Sequence, residues 1–317
     1  MRDQVQSASP AEGAPWVTWC CSYCGGPLLR RGQGLFCVAE DRSFATESGV
    51  HRLLAEDRRR QIRPFVELYQ RVRREEGWRA QPGLPDVPEH HPHAGIWRQR
   101  ADRFRRGMRR VEALLGGGRW RVLDVGAGCC WAAVRLMEDG HLVAAVDVNL
   151  DPDDGLLAAS RLMVDPAKLP RAEADMEALP LPAGAFDLVL AAGSLHYASD
   201  LSATLVELRR VTRKGGVLLA LDSPVFRRAA DGEAMIEARM QEHRQRYAVA
   251  LPRENQSSYL IRNGLEDVFR QAGWRLAVRG WPGLLREWAR DTIERQRHGR
   301  RTARFPILLA ERMDPTS

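Results

Sequence analysis

Val122-Leu123-Asp124-Val125-Gly126-Ala127-Gly128-Cys129 decides the reading of this chain. A run of apolar residues stops at a glycine-rich turn, and a helix-like stretch from Cys130 to Glu138 follows at once. Glycines at 126 and 128 permit a tight turn and let a ligand approach the backbone closely. The next apolar run, Leu142 to Asp147, ends in a carboxylate 23 positions after Asp124. A carboxylate about 20 residues after such a turn is placed to accept hydrogen bonds from ribose hydroxyls.

The turn reads Gly-Ala-Gly-Cys-Cys-Trp, so a third glycine for close helix–strand packing is missing. That speaks against a nicotinamide dinucleotide and for a ligand without a pyrophosphate. Outward from the turn, strands and helices alternate. Strands are expected at 121–125, 142–147, 171–175, 186–192 and 217–221, with two more candidates at 274–281 and 305–311. Helices are expected at 130–138, 154–162, 201–211 and 259–272. Alternation with short connections predicts a parallel sheet with helices on both faces, and continuous apolar strands agree with burial on both sides.

Upstream, residues 1–15 read as a disordered tail and residues 16–55 as a small cysteine-bearing segment. Residues 56–93 read as a helical linker, with basic amphipathic helices at 56–78 and 94–116 around a Pro- and His-rich loop. The main domain is expected over 94–317, with a cap insertion at about 223–258 that carries Met235, Met240, Tyr247 and Tyr259.

The chain has 317 residues, 44% hydrophobic and 28% charged, enough for an enzyme core without staples. Its net charge of +7 fits an anionic partner, or simply a solvated arginine-rich surface. No apolar run reaches the ~18–20 residues of a membrane span, and the polar start has no signal-peptide core. Six cysteines sit in two tight groups, which predicts a reducing, cytoplasmic setting rather than a disulfide framework. Cys21, Cys24 and Cys37 have the spacing of a metal knuckle lacking its fourth ligand. Glu40, Asp41, His51 or Cys20 completes the set, or the segment has lost its metal. Cys129 and Cys130 read as packing residues, with a reactive thiol at a helix start as the alternative.

Five stretches, in order, resemble the motifs of class I S-adenosylmethionine-dependent methyltransferases, in particular the ubiquinone- and menaquinone-type methylases. They are Val122 to Gly128, Val146 to Asn149, Ala174 to Pro182, Phe186 to Leu190 and Leu208 to Val217. The resemblance implies an α/β, Rossmann-like fold with a mostly parallel seven-stranded sheet. It implies that Gly126, Ala127 and Gly128 pass the methionine part of S-adenosyl-L-methionine and that Asp124 holds its amino group. Asp147 and Val148 would flank the ribose, and Asp175 and Met176 the adenine. Residues 20–54 also resemble zinc-ribbon segments fused to methyltransferases, which implies structural zinc.

The methyl acceptor is expected beyond the strand at 186–192, near Gly193 to Tyr197. His196, which titrates near neutrality when unperturbed, is the candidate base, and Tyr197 a positioning group. The alternative for His196 is packing or helix capping. The Asn/Asp-Pro-Pro-aromatic motif of nucleobase amino-methylating relatives is absent. A small-molecule acceptor is favoured over RNA, and a non-catalytic cofactor-binding protein is the remaining alternative. Oligomeric state is not legible.

Overall fold

The computed structural model describes residues 16–247, 258–279 and 302–314. The expected tail at 1–15, Tyr247 side-chain contacts, and the stretches 248–257 and 280–301 lie outside the described residues.

Three short antiparallel strands open the chain: β1 (Leu29–Arg31), β2 (Gly34–Cys37) and β3 (Arg42–Phe44). A hairpin of β4 (Thr46–Glu47) and β5 (Val50–Arg52) follows. Its two-residue turn, Ser48-Gly49, has positive φ at both positions, 49° and 76°. That is the backbone such tight hairpins favour. Next come α1 (Glu56–Glu75) and α2 (Ala94–Leu115).

The alternating part begins with β6 (Arg121–Val125), α3 (Trp131–Glu138), β7 (Leu142–Asp147) and β8 (Arg171–Glu173). It continues with β9 (Phe186–Ala192), α4 (Leu201–Val211) and β10 (Thr212–Leu221). Then come β11 (Val225–Phe226), α5 (Ala229–Tyr247), β12 (Leu260–Ile261), α6 (Leu265–Gln271), β13 (Trp274–Arg279) and β14 (Ile307–Arg312).

The central sheet has nine strands in the order β13-β14-β10-β9-β6-β7-β8-β5-β4. From β10 to β5 neighbouring strands are parallel; β14 runs antiparallel to β10 and β13. The expected seven strands are all present. Two more come from the cysteine-bearing segment, whose hairpin adds β5 to the edge at β8 instead of standing apart. Buried Arg171 and Glu173 of β8 hold it there. Arg171 Nη2 donates to the Ser48 carbonyl (3.3 Å), and Glu173 accepts from Arg52 (2.6 Å) and Arg59 (2.8 Å).

Val122 and Leu123 are fully buried on opposite faces of β6, as expected of a strand covered on both sides. Helix α2 lies on β10, where Gly107 leaves room for Leu219: a Cβ at 107 would stand 3.0 Å from its Cδ2. Two helical expectations change. Residues 156–161 form a 3₁₀ helix rather than an α-helix. The stretch from Tyr259 is divided, because Gly264 (φ 80°) separates strand β12 from helix α6. Among the described residues no helix is long and apolar enough to cross a membrane.

Candidate active site

Strand order reverses between β6 and β9, and the crevice at their carboxyl ends is the usual ligand position in an open α/β sheet. The Gly126 turn and Gly193 stand at those two ends. Gly126 has φ 65°, and a Cβ there would meet the Ser194 Cβ at 2.2 Å, so only glycine fits. Ser194 Oγ donates to the Val125 carbonyl at 2.5 Å and keeps the two strand ends together.

A cavity here is lined by Gly126, Ala127, Gly128, Asp147, Val148 and Met176. Its neighbour, toward Asp175, shares Gly126, Asp147, Val148 and Met176 with it. Seven of the eight sequence-selected cofactor residues therefore line these two adjoining cavities, whereas Asp124 lies buried behind them and lines neither. Asp147 accepts from the Gly128 amide through Oδ2 and the Asn149 amide through Oδ1, both at 2.7 Å. Burial pushes its carboxyl up to about 6, against these hydrogen bonds. Asp124 is buried, and neither carboxylate oxygen has a hydrogen-bond partner. Burial and then the negative charge of Asp147 push it up to about 7. Asp175 is already engaged: Arg58 donates to Oδ2 and the Glu177 amide to Oδ1 (3.0 Å).

Helix α1 forms the roof of this cavity. Phe65, Val66, Tyr69 and Arg73 line it. The helix is held by Arg58 to Asp175, Gln70 to Asn149 (2.8 Å), Arg73 to Asp154 and Arg74 to Asp151 (3.0 Å). These residues were missed as site residues. The available signal was the apolar spacing of Phe65, Leu68, Tyr69 and Val72, which looks the same whether it faces a core or a ligand.

A second chamber of about 520 Å³ opens beside the first and shares Phe65, Tyr69, Arg73, Arg100, Gly193 and Tyr197 with it. His196 and Tyr197 both line it. Tyr197 packs against Phe65 and Tyr69, with ring centroids at 5.7 and 6.0 Å. His196 Nδ1 lies 3.2 Å from the Ser223 hydroxyl. His196 is buried. Burial, then the positive charges of Arg239 and Arg100, lower it to about 3. A group that weakly basic is poorly matched to general-base work at neutral pH. Met235 and Met240 of α5 line the chamber, in the part of the insertion that is described.

Cys129 and Cys130 are buried, and burial pushes the Cys129 thiol up to about 12, so they pack rather than react. The Sγ atoms of Cys21, Cys24 and Cys37 lie within 4.8 Å of one another, with Cys24 and Cys37 at 3.5 Å. The Tyr23 amide donates to Cys21 Sγ at 3.4 Å. Backbone amides of Glu40 and Ala39 likewise serve Cys37. Of the four candidate fourth ligands, His51 is committed elsewhere: its Nδ1 pairs with Thr46 Oγ1 at 2.7 Å.

Compared with known proteins, residues 123–220 match the family described as methyltransferase domain. Over 130 residues the chain is 34% identical to malonyl-[acyl-carrier protein] O-methyltransferase of Erwinia pyrifoliae, covering 41% of this chain and 45% of that one. Over 121 residues it is 36% identical to demethylmenaquinone methyltransferase of Mycolicibacterium gilvum, covering 38% and 49%. The chain thus spans about half the length of the curated relatives it matches. A solved structure of 1,6-didemethyltoxoflavin-N1-methyltransferase from Burkholderia thailandensis aligns with a TM-score of 0.45 at 18% identity, covering 89% of this chain and 100% of that one.

Proposed function

On the premise that residues 123–220 carry a methyltransferase domain, we propose that the chain is an S-adenosyl-L-methionine-dependent methyltransferase with a small-molecule acceptor. One observation carries the reading: the cavity at Gly126–Gly128 and Asp147 lies beside a second, larger chamber and shares Tyr69, Arg100, Gly193 and Tyr197 with it. A transferase needs room for a donor and an acceptor side by side.

The residues fit the cofactor. The buried Asp124 carboxylate lacks a partner and suits a cationic amino group, directly or through water. Gly126, Ala127 and Gly128 give the methionine portion its passage. Each Asp147 oxygen holds one amide and keeps a lone pair for a ribose hydroxyl. Val148 and Met176 offer apolar surface to the adenine, and Asp175 can accept its amine only beside Arg58. Bound there, the cofactor supplies a sulfonium methyl, an electrophile that asks mainly for alignment. Tyr197, wedged between Phe65 and Tyr69 at the junction, positions the acceptor. His196 forms part of the wall.

The three clustered thiols are the site of a structural zinc. Glu40 follows Cys37 where a second knuckle carries its other cysteine, and it supplies the fourth ligand. The clustered sulfurs and the aimed amides support the metal, and the spacing Cys37-Val38-Ala39-Glu40 alone supports Glu40, whose carboxylate does not join the sulfur group.

Calorimetric titration with S-adenosylhomocysteine tests the function. Micromolar binding, weakened about tenfold or more by Asp147→Ala, is expected. Absence of binding by folded protein at any tested concentration would sink the proposal.

A further inference from the structure

The larger chamber is lined by Arg73, Arg100, Arg103 and Arg239. Two of these are committed: Arg73 to Asp154 and Arg103 to Asp222. Arg100 and Arg239 have no carboxylate partner among the described residues. The Arg100 guanidinium lies over Trp97 and Trp78, 5.0 and 5.4 Å from their ring centroids. Stacking uses the face of the guanidinium and leaves its edge donors available. Arg100 lines both compartments, and its Nη2 stands 4.0 Å from where a Cβ on Gly193 would be. It therefore sits at the junction where donor and acceptor meet. Arg239 of helix α5 lines the same chamber, and its charge, like that of Arg100, acts on His196.

The chamber's acids and bases are equally specific. Asp222 is held by Arg103, and Glu76 accepts the Trp78 indole N–H at 2.9 Å. Burial pushes the Tyr69 hydroxyl upward, and His196 is held low. His243 of α5 and Tyr197 line the chamber as well, and burial, before the charge of Arg239, lowers His243. An acceptor that arrives ionised needs no base. Leu68, Val72, Ile96, Ile236, Met235 and Met240 make most of the remaining surface apolar, and the thioethers adapt to shape.

We infer that the chamber binds an apolar-bodied carboxylate, with its charged end between Arg100 and Arg239 and one carboxylate oxygen as the methyl acceptor. This rests on the methyltransferase reading above. The carboxylate oxygen's lone pair forms the new O–C bond while the C–S pair returns to sulfur. The products are a neutral methyl ester and a thioether, and no proton moves. Guanidiniums without a carboxylate partner among the described residues, in a largely apolar chamber, prefer such an anion to its neutral isostere.

The test is calorimetric binding of 2-naphthoate and of neutral 2-naphthamide to the full chain, with and without S-adenosylhomocysteine. Naphthoate should bind about tenfold tighter than the amide. Arg100→Gln and Arg239→Gln should each remove most of that preference while leaving amide binding in place, and Arg239→Lys should retain much of it. Equal affinity for the two probes, or a preference that survives both glutamine variants, overturns the inference. S-adenosylhomocysteine binding without a naphthoate preference sinks the carboxylate chamber alone. A naphthoate preference without S-adenosylhomocysteine binding sinks the methyltransferase reading and leaves the anion site standing.

Discussion

Arg73 holds Asp154 by two parallel hydrogen bonds, Nε to Oδ2 at 2.5 Å and Nη2 to Oδ1 at 3.1 Å. The pair ties helix α1, the roof of the cavity, to the loop beyond β7. Their side chains are 15% and 10% exposed. Removing the arginine would strand a buried carboxylate, which costs about 3–5 kcal/mol. Arg73→Ala should therefore lower stability by about 3 kcal/mol in urea unfolding and loosen the roof, weakening S-adenosylhomocysteine binding. Arg74→Ala is the contrast. Its pair with Asp151 has Arg74 63% exposed, so a loss under about 1 kcal/mol is expected. Equal losses for the two variants would show that the Arg73 pair has no special role.

Gly126 and Gly128 differ in what a methyl group would do. At 126 the new Cβ would overlap the Ser194 Cβ at 2.2 Å and sit on a left-handed backbone. At 128, φ is 52°, but the nearest atom is the Asp154 carbonyl oxygen at an ordinary 3.6 Å. Gly128→Ala should cost about 1 kcal/mol of backbone strain. Gly126→Ala should cost more, about 2–4 kcal/mol, because the β6 and β9 ends must separate. Thermal unfolding of the two variants reads the difference, and a Gly126→Ala protein as stable as Gly128→Ala would refute the close approach.

The sheet was legible because β7, residues 188–192 of β9 and residues 217–221 of β10 are apolar runs that end at glycine or aspartate, and β6 from Val122 is such a run broken only by Asp124. The glycine turn and Asp147 were legible for the same reason: local spacing decides their position. What was not legible depends on distant partners. Arg171 and Glu173 look like surface residues of a short strand, yet they anchor Ser48, Arg52 and Arg59 from the amino-terminal segment. The low basicity of His196 follows from its burial first and then from Arg239 and Arg100 on two other helices. Helix α1 was read as part of a linker because nothing in its own periodicity says which surface it covers.

Asp124 makes the stability of the free protein depend on pH. Its carboxyl is pushed from an ordinary 3.8 up to about 7, by burial first and Asp147 second. The folded state then holds the proton more tightly than the unfolded chain. The stability this contributes is full below about pH 4 and is lost as pH rises through 7. Asp147, raised to about 6, acts in the same direction. Asp124→Asn should therefore flatten the decline in urea midpoint between pH 4 and 7.5 and make the free protein more stable at pH 8. A cationic ligand group beside Asp124 favours its ionised form, so S-adenosylhomocysteine binding near pH 7 should release protons. Calorimetry in phosphate and in Tris measures that release. A release unchanged in Asp124→Asn would place its source elsewhere.

The cysteine cluster supplies the last prediction. Cys21, Cys24 and Cys37 offer three sulfurs within 4.8 Å of one another, and Glu40 stands three positions after Cys37. A carboxylate is a harder ligand than a thiolate, so zinc held by three cysteines and Glu40 should be more easily lost than zinc in a four-cysteine site. Purified protein should carry about one zinc, released by a chromogenic chelator, with unfolding at lower temperature afterwards. Cys37→Ser should abolish retention. Glu40→Cys should slow release about tenfold or more by completing the second knuckle. Unaltered release from Glu40→Cys would mean that position 40 does not face the metal, and metal-free wild type with unchanged stability in added zinc would remove the site altogether.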